Sequence, residues 1–350
     1  DGTGAQIPTY TPADIAGLAK VFTGISWYNP APTNNTFFGG GAHADRNVLP
    51  MVFYPNFHST SEKVFLGTTI PASPTVDVAA DLRIALDRLF NHPNVGPFIA
   101  HRLIQQMVTS NPSPAYVGRV ATVFNNNGSG VRGDMAAVVR AVLIDPEARD
   151  MNAVGSASFG KLREPVIRVT NWARSFGAAS QTGNFLITST SANTSINQSP
   201  MSSPSVFNFW RPGFTPPSTT QLGQRSLVAP EFQIVDEVTA ASYINVMQDW
   251  INQGLGQTPP GGAGRDVRSA YAAEIAIADN GQALVDRMNS LLFYGQMSAT
   301  LQGRVLAGVN AIAVPASNGS NQAQIDTARL NRVKTAVFFS MVSPEYLTQR

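Results

Sequence analysis

Four histidines, at positions 43, 58, 92 and 101, are the first candidates for acid–base or metal chemistry. No two of them stand at the i, i+4 spacing that places a pair of metal ligands on one helix face. His43 and Asp45 follow the turn Gly39-Gly40-Gly41, and His58 stands shortly before Glu62 and Lys63. Folded together, His43, Asp45 and His58 would offer two imidazoles and a carboxylate, a donor set suited to zinc or another divalent metal. His58, Glu62 and Lys63 are the candidates for catalytic proton transfer, which requires such groups within reach of one another. The plainer reading is of loop histidines hydrogen-bonded to backbone. His92, before Pro93, reads as a cap or packing residue, and His101 as a polar residue at the edge of an apolar stripe.

Two other stretches could bind a ligand. Lys161, Arg163 and Glu164 crowd together just before Pro165, a residue tolerated in the first turn of a helix. The two cations could gather an anion near that helix start, or the three charges could form an internal salt bridge. Further on, Phe207, Phe209, Trp210 and Phe214 sit in a frame of proline and glycine. They could stack on a sugar, or they could staple a long loop onto a helical core.

Several chemistries are excluded. The chain has no cysteine, so disulfides, thiolate zinc sites, iron–sulfur clusters and cysteine nucleophiles are absent, and any metal must use His, Asp or Glu. No cofactor is strongly implied beyond such a divalent metal. The segment 155–160 lacks the G-x-S-x-G elbow, and no phosphate-binding glycine loop leads from a strand into a helix. The asparagine-rich loop 125–130 lacks the acidic ligands of a calcium loop. A net charge of +2 on 350 residues, without basic runs interleaved with aromatics, argues against nucleic acid as a partner. No apolar run approaches membrane-spanning length.

The elements that must position these residues are helical. Apolar residues recur at helical spacing in 78–90 and 95–107, and again near 11–22, 114–125, 133–144, 165–176, 232–252, 265–277, 281–292, 297–311 and 322–342. On helix 78–90 the charged residues Asp77, Asp81, Arg83, Asp87 and Arg88 fall largely on the side away from the apolar stripe. Two runs rich in Val and Phe, Met51 to Tyr54 and Lys63 to Leu66, predict a small β-hairpin inserted near 51–67. Residues 179–231 form a long loop whose aromatics predict that at least 204–217 is packed. The expectation is a mainly α, multi-helix, bundle-like globular protein. Its parts are a helical portion 1–178 with the hairpin, the ordered aromatic loop 179–231 and a helical portion 232–350, packed as one unit.

Residues scattered over the whole chain resemble the bacterial domain-of-unknown-function family 1800. They are Tyr10 to Ile15 with Phe22-Thr23-Gly24, His58 through Glu62-Lys63 to Leu66-Gly67, Leu143 to Arg149, and Arg163-Glu164-Pro165. Ser205 to Phe209, Leu227 to Phe232 and Ser343 to Tyr346 complete the set. Ser59 departs from the pattern, since many relatives carry Asp after the histidine, which weakens a metal site built on His58. The resemblance implies export to the periplasm or beyond, which an uncharged surface rich in Asn, Ser, Thr and Gln also suggests. It implies no established activity. It suggests two partners: an N-terminal portion of the same precursor, or another subunit, preceding the glycine-rich opening Asp1-Gly2-Thr3-Gly4, and a sulfatase-like envelope protein. The leading expectation is a binding or scaffolding role at the cell envelope. The alternative is a hydrolase of a cell-surface polymer, metal-dependent if His58 holds a metal.

Overall fold

A computed structural model describes residues 8–350; the glycine-rich opening Asp1-Gly2-Thr3-Gly4 lies outside the described residues. The protein is mainly α-helical, with only two-stranded sheets among the described residues. The chain divides into two compact units, one ending at Phe98 and the other running from Ile99 to Arg350.

In the first unit, Thr11 caps helix Pro12–Val21 in a capping box with Asp14, and Pro12 opens it. The second oxygen of Asp14 accepts a 2.6 Å hydrogen bond from the Leu66 amide, so this one carboxylate fastens the helix start to a hairpin turn. That hairpin pairs Lys63–Phe65 with Thr68–Ile70, and positive φ at both Leu66 and Gly67 is what a tight two-residue turn needs. The run Met51 to Tyr54 is not its partner: Val52–Phe53 pairs with Ile25–Ser26 instead. The helix lies on strand Lys63–Phe65 so closely that a Cβ at Gly17 would stand 1.8 Å from the Val64 carbonyl. Gly17 and Val21 are therefore buried and Leu18 half-buried, while the apolar side chains of Ile15 and Phe22 are exposed. Helix Val78–Phe90 packs on the same helix and is capped by Asp77.

In the second unit, helix Gln322–Met341 packs against Glu237–Gln253, Gly281–Phe293 and Ala299–Asn310. Their buried faces, with Val169 and Trp172 of helix Pro165–Ser175, form one large apolar core. Helix Pro114–Asn125 packs on Met135–Ile144, and Arg119 makes a two-pronged ion pair with Asp145, both bonds 2.7 Å. The helix expected over 265–277 shrinks to Ala272–Ile275. Asp266 accounts for this. Fully buried, it accepts hydrogen bonds from Ser180, from both backbone and side chain of Thr182, and from the Leu186 amide. Burial opposes its charge, but those donors outweigh it and hold the carboxyl down at about 2. The chain beside it is drawn into a strand, Val267–Arg268 pairing with Ala179–Ser180, rather than a helix.

Parts of the loop after residue 180 are tied down by hydrogen bonds, although residues 204–208, expected to be packed, are exposed. Asn111 bonds both the amide and the carbonyl of Val228, and the Gln233 side chain accepts from the Arg211 amide. Trp210 is only 6% exposed, whereas Phe207 is 59% exposed, so the aromatics divide instead of forming one face. Trp210→Ala should destabilise the second unit by about 3 kcal/mol, since a buried indole is lost from a loop able to relax. Phe207→Ser should leave the unfolding midpoint unchanged within error. Urea unfolding of the two variants tests both statements.

Candidate functional site

Two buried polar centres stand out, one in each unit. In the first unit, His58 ends a 3-10 turn, Pro55–Phe57, and its ring is fully enclosed. Nδ1 lies 2.8 Å from the Thr23 carbonyl oxygen and Nε2 3.0 Å from Oδ2 of Asp81. Both ring nitrogens are therefore engaged, one by a backbone carbonyl and the other by a carboxylate. The same Asp81 oxygen is 2.9 Å from the Lys63 ammonium, which also donates to the Ser59 carbonyl at 2.7 Å. A buried imidazole and a buried ammonium thus share one carboxylate oxygen. Partial burial works against ionisation of Asp81, but hydrogen bonds from His58 and Lys63 more than offset it and hold its carboxyl below the usual range.

This arrangement leaves little room for the chemistry considered for His58. With both nitrogens engaged, the ring has no lone pair for a metal and no free position for a substrate proton. Glu62 is exposed, and its contact is a hydrogen bond from Lys20 to its backbone carbonyl. His43 bonds the Asp45 amide through Nδ1 and sits edge-on to Tyr28. Among the described residues no three His, Asp or Glu side chains gather as a metal would require, so the set His43, Asp45 and His58 is not assembled. His101 is half-buried, and that burial, with Arg102 beside it, lowers its pKa.

In the second unit the charged run before Pro165 becomes the centre of a network. Lys161 lies in strand Lys161–Leu162, which pairs with Thr348–Gln349. Its ammonium is enclosed, 2.8 Å from Glu231 and 2.8 Å from the Gln106 carbonyl oxygen. Glu164 accepts from the side chains of Gln106 and Gln198, and Gln198 in turn accepts from the Val166 amide in the first turn of helix Pro165–Ser175. The guanidinium of Arg163 lies 4.3 Å from the centre of the Tyr346 ring. The Arg163 backbone is fixed at both ends, its amide donating to the Leu347 carbonyl and its carbonyl accepting from Arg168 Nε. An internal salt bridge does form here, but its carboxylate is Glu231, which lies 70 residues from Lys161, and not the neighbouring Glu164.

Arg163 also lines a cavity of about 500 Å³, together with Leu292, Phe293, Tyr294, Ser298 and Glu345 among others. Its volume suits a small ligand. The third binding candidate, the aromatic loop, is weaker: the Phe209 and Trp210 rings are tilted at 39° with centroids 6.4 Å apart, and Trp210 faces inward.

A model of a family described as protein of unknown function (DUF1800) matches residues 2–348. No curated protein and no solved structure matches the chain.

Proposed function

The chain belongs to the DUF1800 family of proteins of unknown function, and from that premise we propose a ligand-binding protein of the cell envelope, acting outside the cytoplasm. The observation that carries the reading is the cavity of the second unit. One of its lining residues, Arg163, has its backbone anchored at both amide and carbonyl, and the strand before it is held by the buried Lys161–Glu231 pair. A site whose supporting groups are locked in advance is suited to holding a ligand. The hydrolase alternative draws no comparable support, because His58 is enclosed and its two nitrogens are engaged. A composition poor in charged residues and rich in Asn, Ser, Thr and Gln supports export; among the described residues no helix is long and apolar enough to cross a membrane.

The test is a thermal-shift screen against small sugars, amino acids and short peptides, run on the wild type and on Gln296→Trp, which places an indole on the cavity lining at an exposed position. A ligand at 100 times its Kd should stabilise the wild type by about 2.7 kcal/mol. The plugged variant should melt like the wild type without ligand and lose the shift. Binding that survives the plug would move the site elsewhere and sink this reading.

A further inference from the structure

We propose that the cavity takes the oxyanion end of a small ligand, a carboxylate, phosphate or sulfate group, with Arg163 as its charge partner; this rests on the binding role above. The argument is one of charge. In the cluster around strand Lys161–Leu162 and the start of helix Pro165–Ser175, Lys161, Arg163 and Arg168 are buried with two buried carboxylates, Glu164 and Glu231; the unit's other buried carboxylates are taken elsewhere, Asp145 by Arg119, Glu274 by Arg287 and Asp266 by hydroxyl and amide donors. Lys161 takes Glu231 at 2.8 Å, and Glu164 is spent on two glutamine amides. Among the described residues no carboxylate lies within ion-pair distance of either arginine.

Arg168, 2% exposed, gives Nε to the Arg163 carbonyl and rests on the Tyr243 ring, while its Nη2 has no hydrogen-bond partner. Burial lowers its pKa, and the neighbouring Arg163 charge lowers it further. Tyrosine faces supply the negative side of a ring quadrupole to both guanidiniums, which softens but does not cancel the charge. Glu345, which lines the cavity along with Arg163 and Arg350, is used by Ser298, whose amide and hydroxyl donate to its two oxygens at 3.0 and 2.5 Å. The buried set is therefore one negative charge short, and Arg163 is the member that opens onto empty volume. A guanidinium fork matches the oxygens of a carboxylate or a tetrahedral oxyanion in two-point contact.

The probes are sodium benzoate, inorganic phosphate and inorganic sulfate, with benzamide as the neutral isostere and chloride at matched ionic strength as the blank. Calorimetric titration and melting curves would be recorded on the wild type, Arg163→Gln, Arg163→Lys and Gln296→Trp. At least one oxyanion should bind the wild type and raise its melting temperature, while benzamide does not. Affinity should fall at least tenfold in Arg163→Gln and in Gln296→Trp, and to an intermediate value in Arg163→Lys, which keeps the charge without the fork. If Arg163→Gln fails to fold, the intermediate affinity of Arg163→Lys together with loss in the plugged variant carries the result. Which oxyanion binds best separates the carboxylate from the phosphate and sulfate sources. Benzamide binding as well as benzoate, unaffected by either Arg163 variant but lost in Gln296→Trp, would overturn the oxyanion inference and leave the binding cavity standing. No binding of any oxyanion above the chloride blank would overturn the inference as well.

Discussion

Asp81→Asn is expected to lower the stability of the first unit by about 3 to 5 kcal/mol, the range found when one member of a buried ion pair is removed. The cost comes from what remains. His58 and Lys63 are enclosed and each points at the same Asp81 oxygen, so the amide would leave the buried Lys63 ammonium without its counter-charge and the His58 ring without its carboxylate partner. Lys63→Met should cost less, because the His58–Asp81 contact survives it. Acid dependence gives a second signature. The folded pKa of Asp81 lies below its unfolded value, near 3.9 for a free aspartate, so its stabilisation is complete above that value. It is lost as pH falls through the unfolded value towards the folded one. The wild type should therefore lose more stability between about pH 5 and pH 3 than Asp81→Asn does. Denaturant melts over that range, with amide exchange on helix Val78–Phe90 to assign the loss to this unit, decide it. Equal acid sensitivity of the two proteins would remove Asp81 from this role.

His58 and Lys63 could be singled out by type, but their partner could not. Asp81 is 23 residues from His58 and sits among three other charges on helix Val78–Phe90, on the side that periodicity assigns to solvent. Periodicity orders the residues of one helix, and it carries no information about a second element that brings its own charges to the polar side. Helices with caps and clean stripes, such as Pro114–Asn125 and Gly281–Phe293, were readable because local physics alone specifies them. The stretch 265–277 was misread because Asp266 takes its hydrogen bonds from residues 180–186, and that long-range demand overrides local helix preference. Several segments behind the family resemblance turn out to meet in space. Asp14 reaches Leu66, and Thr23 reaches His58. They brace the fold, which explains why such residues can be recognised without revealing a reaction.

The Lys161–Glu231 pair poses the same question with more at stake, because the strand it anchors ends immediately before Arg163. Glu231→Leu should destabilise the second unit by about 3 to 5 kcal/mol, since it strands an enclosed ammonium whose other contact is the Gln106 carbonyl. Lys161→Met should cost a similar amount, leaving a carboxylate of which one oxygen already lacks a hydrogen-bond partner. The double variant Lys161→Met/Glu231→Leu should recover most of that loss and could exceed the wild type, as apolar replacement of buried pairs often is neutral or stabilising by about 1 to 4 kcal/mol. A double-mutant cycle in urea gives the coupling directly. Lys161→Met removes one buried cation and Glu231→Leu one buried carboxylate, so the double variant leaves the charge around Arg163 one negative short, as before. Stability and oxyanion affinity then separate. A double variant that is stable and binds as the wild type does would make the pair a brace alone. One that is stable yet binds at least tenfold more weakly would mean that the pair is kept, at a cost in stability, because it holds the Arg163 strand in register.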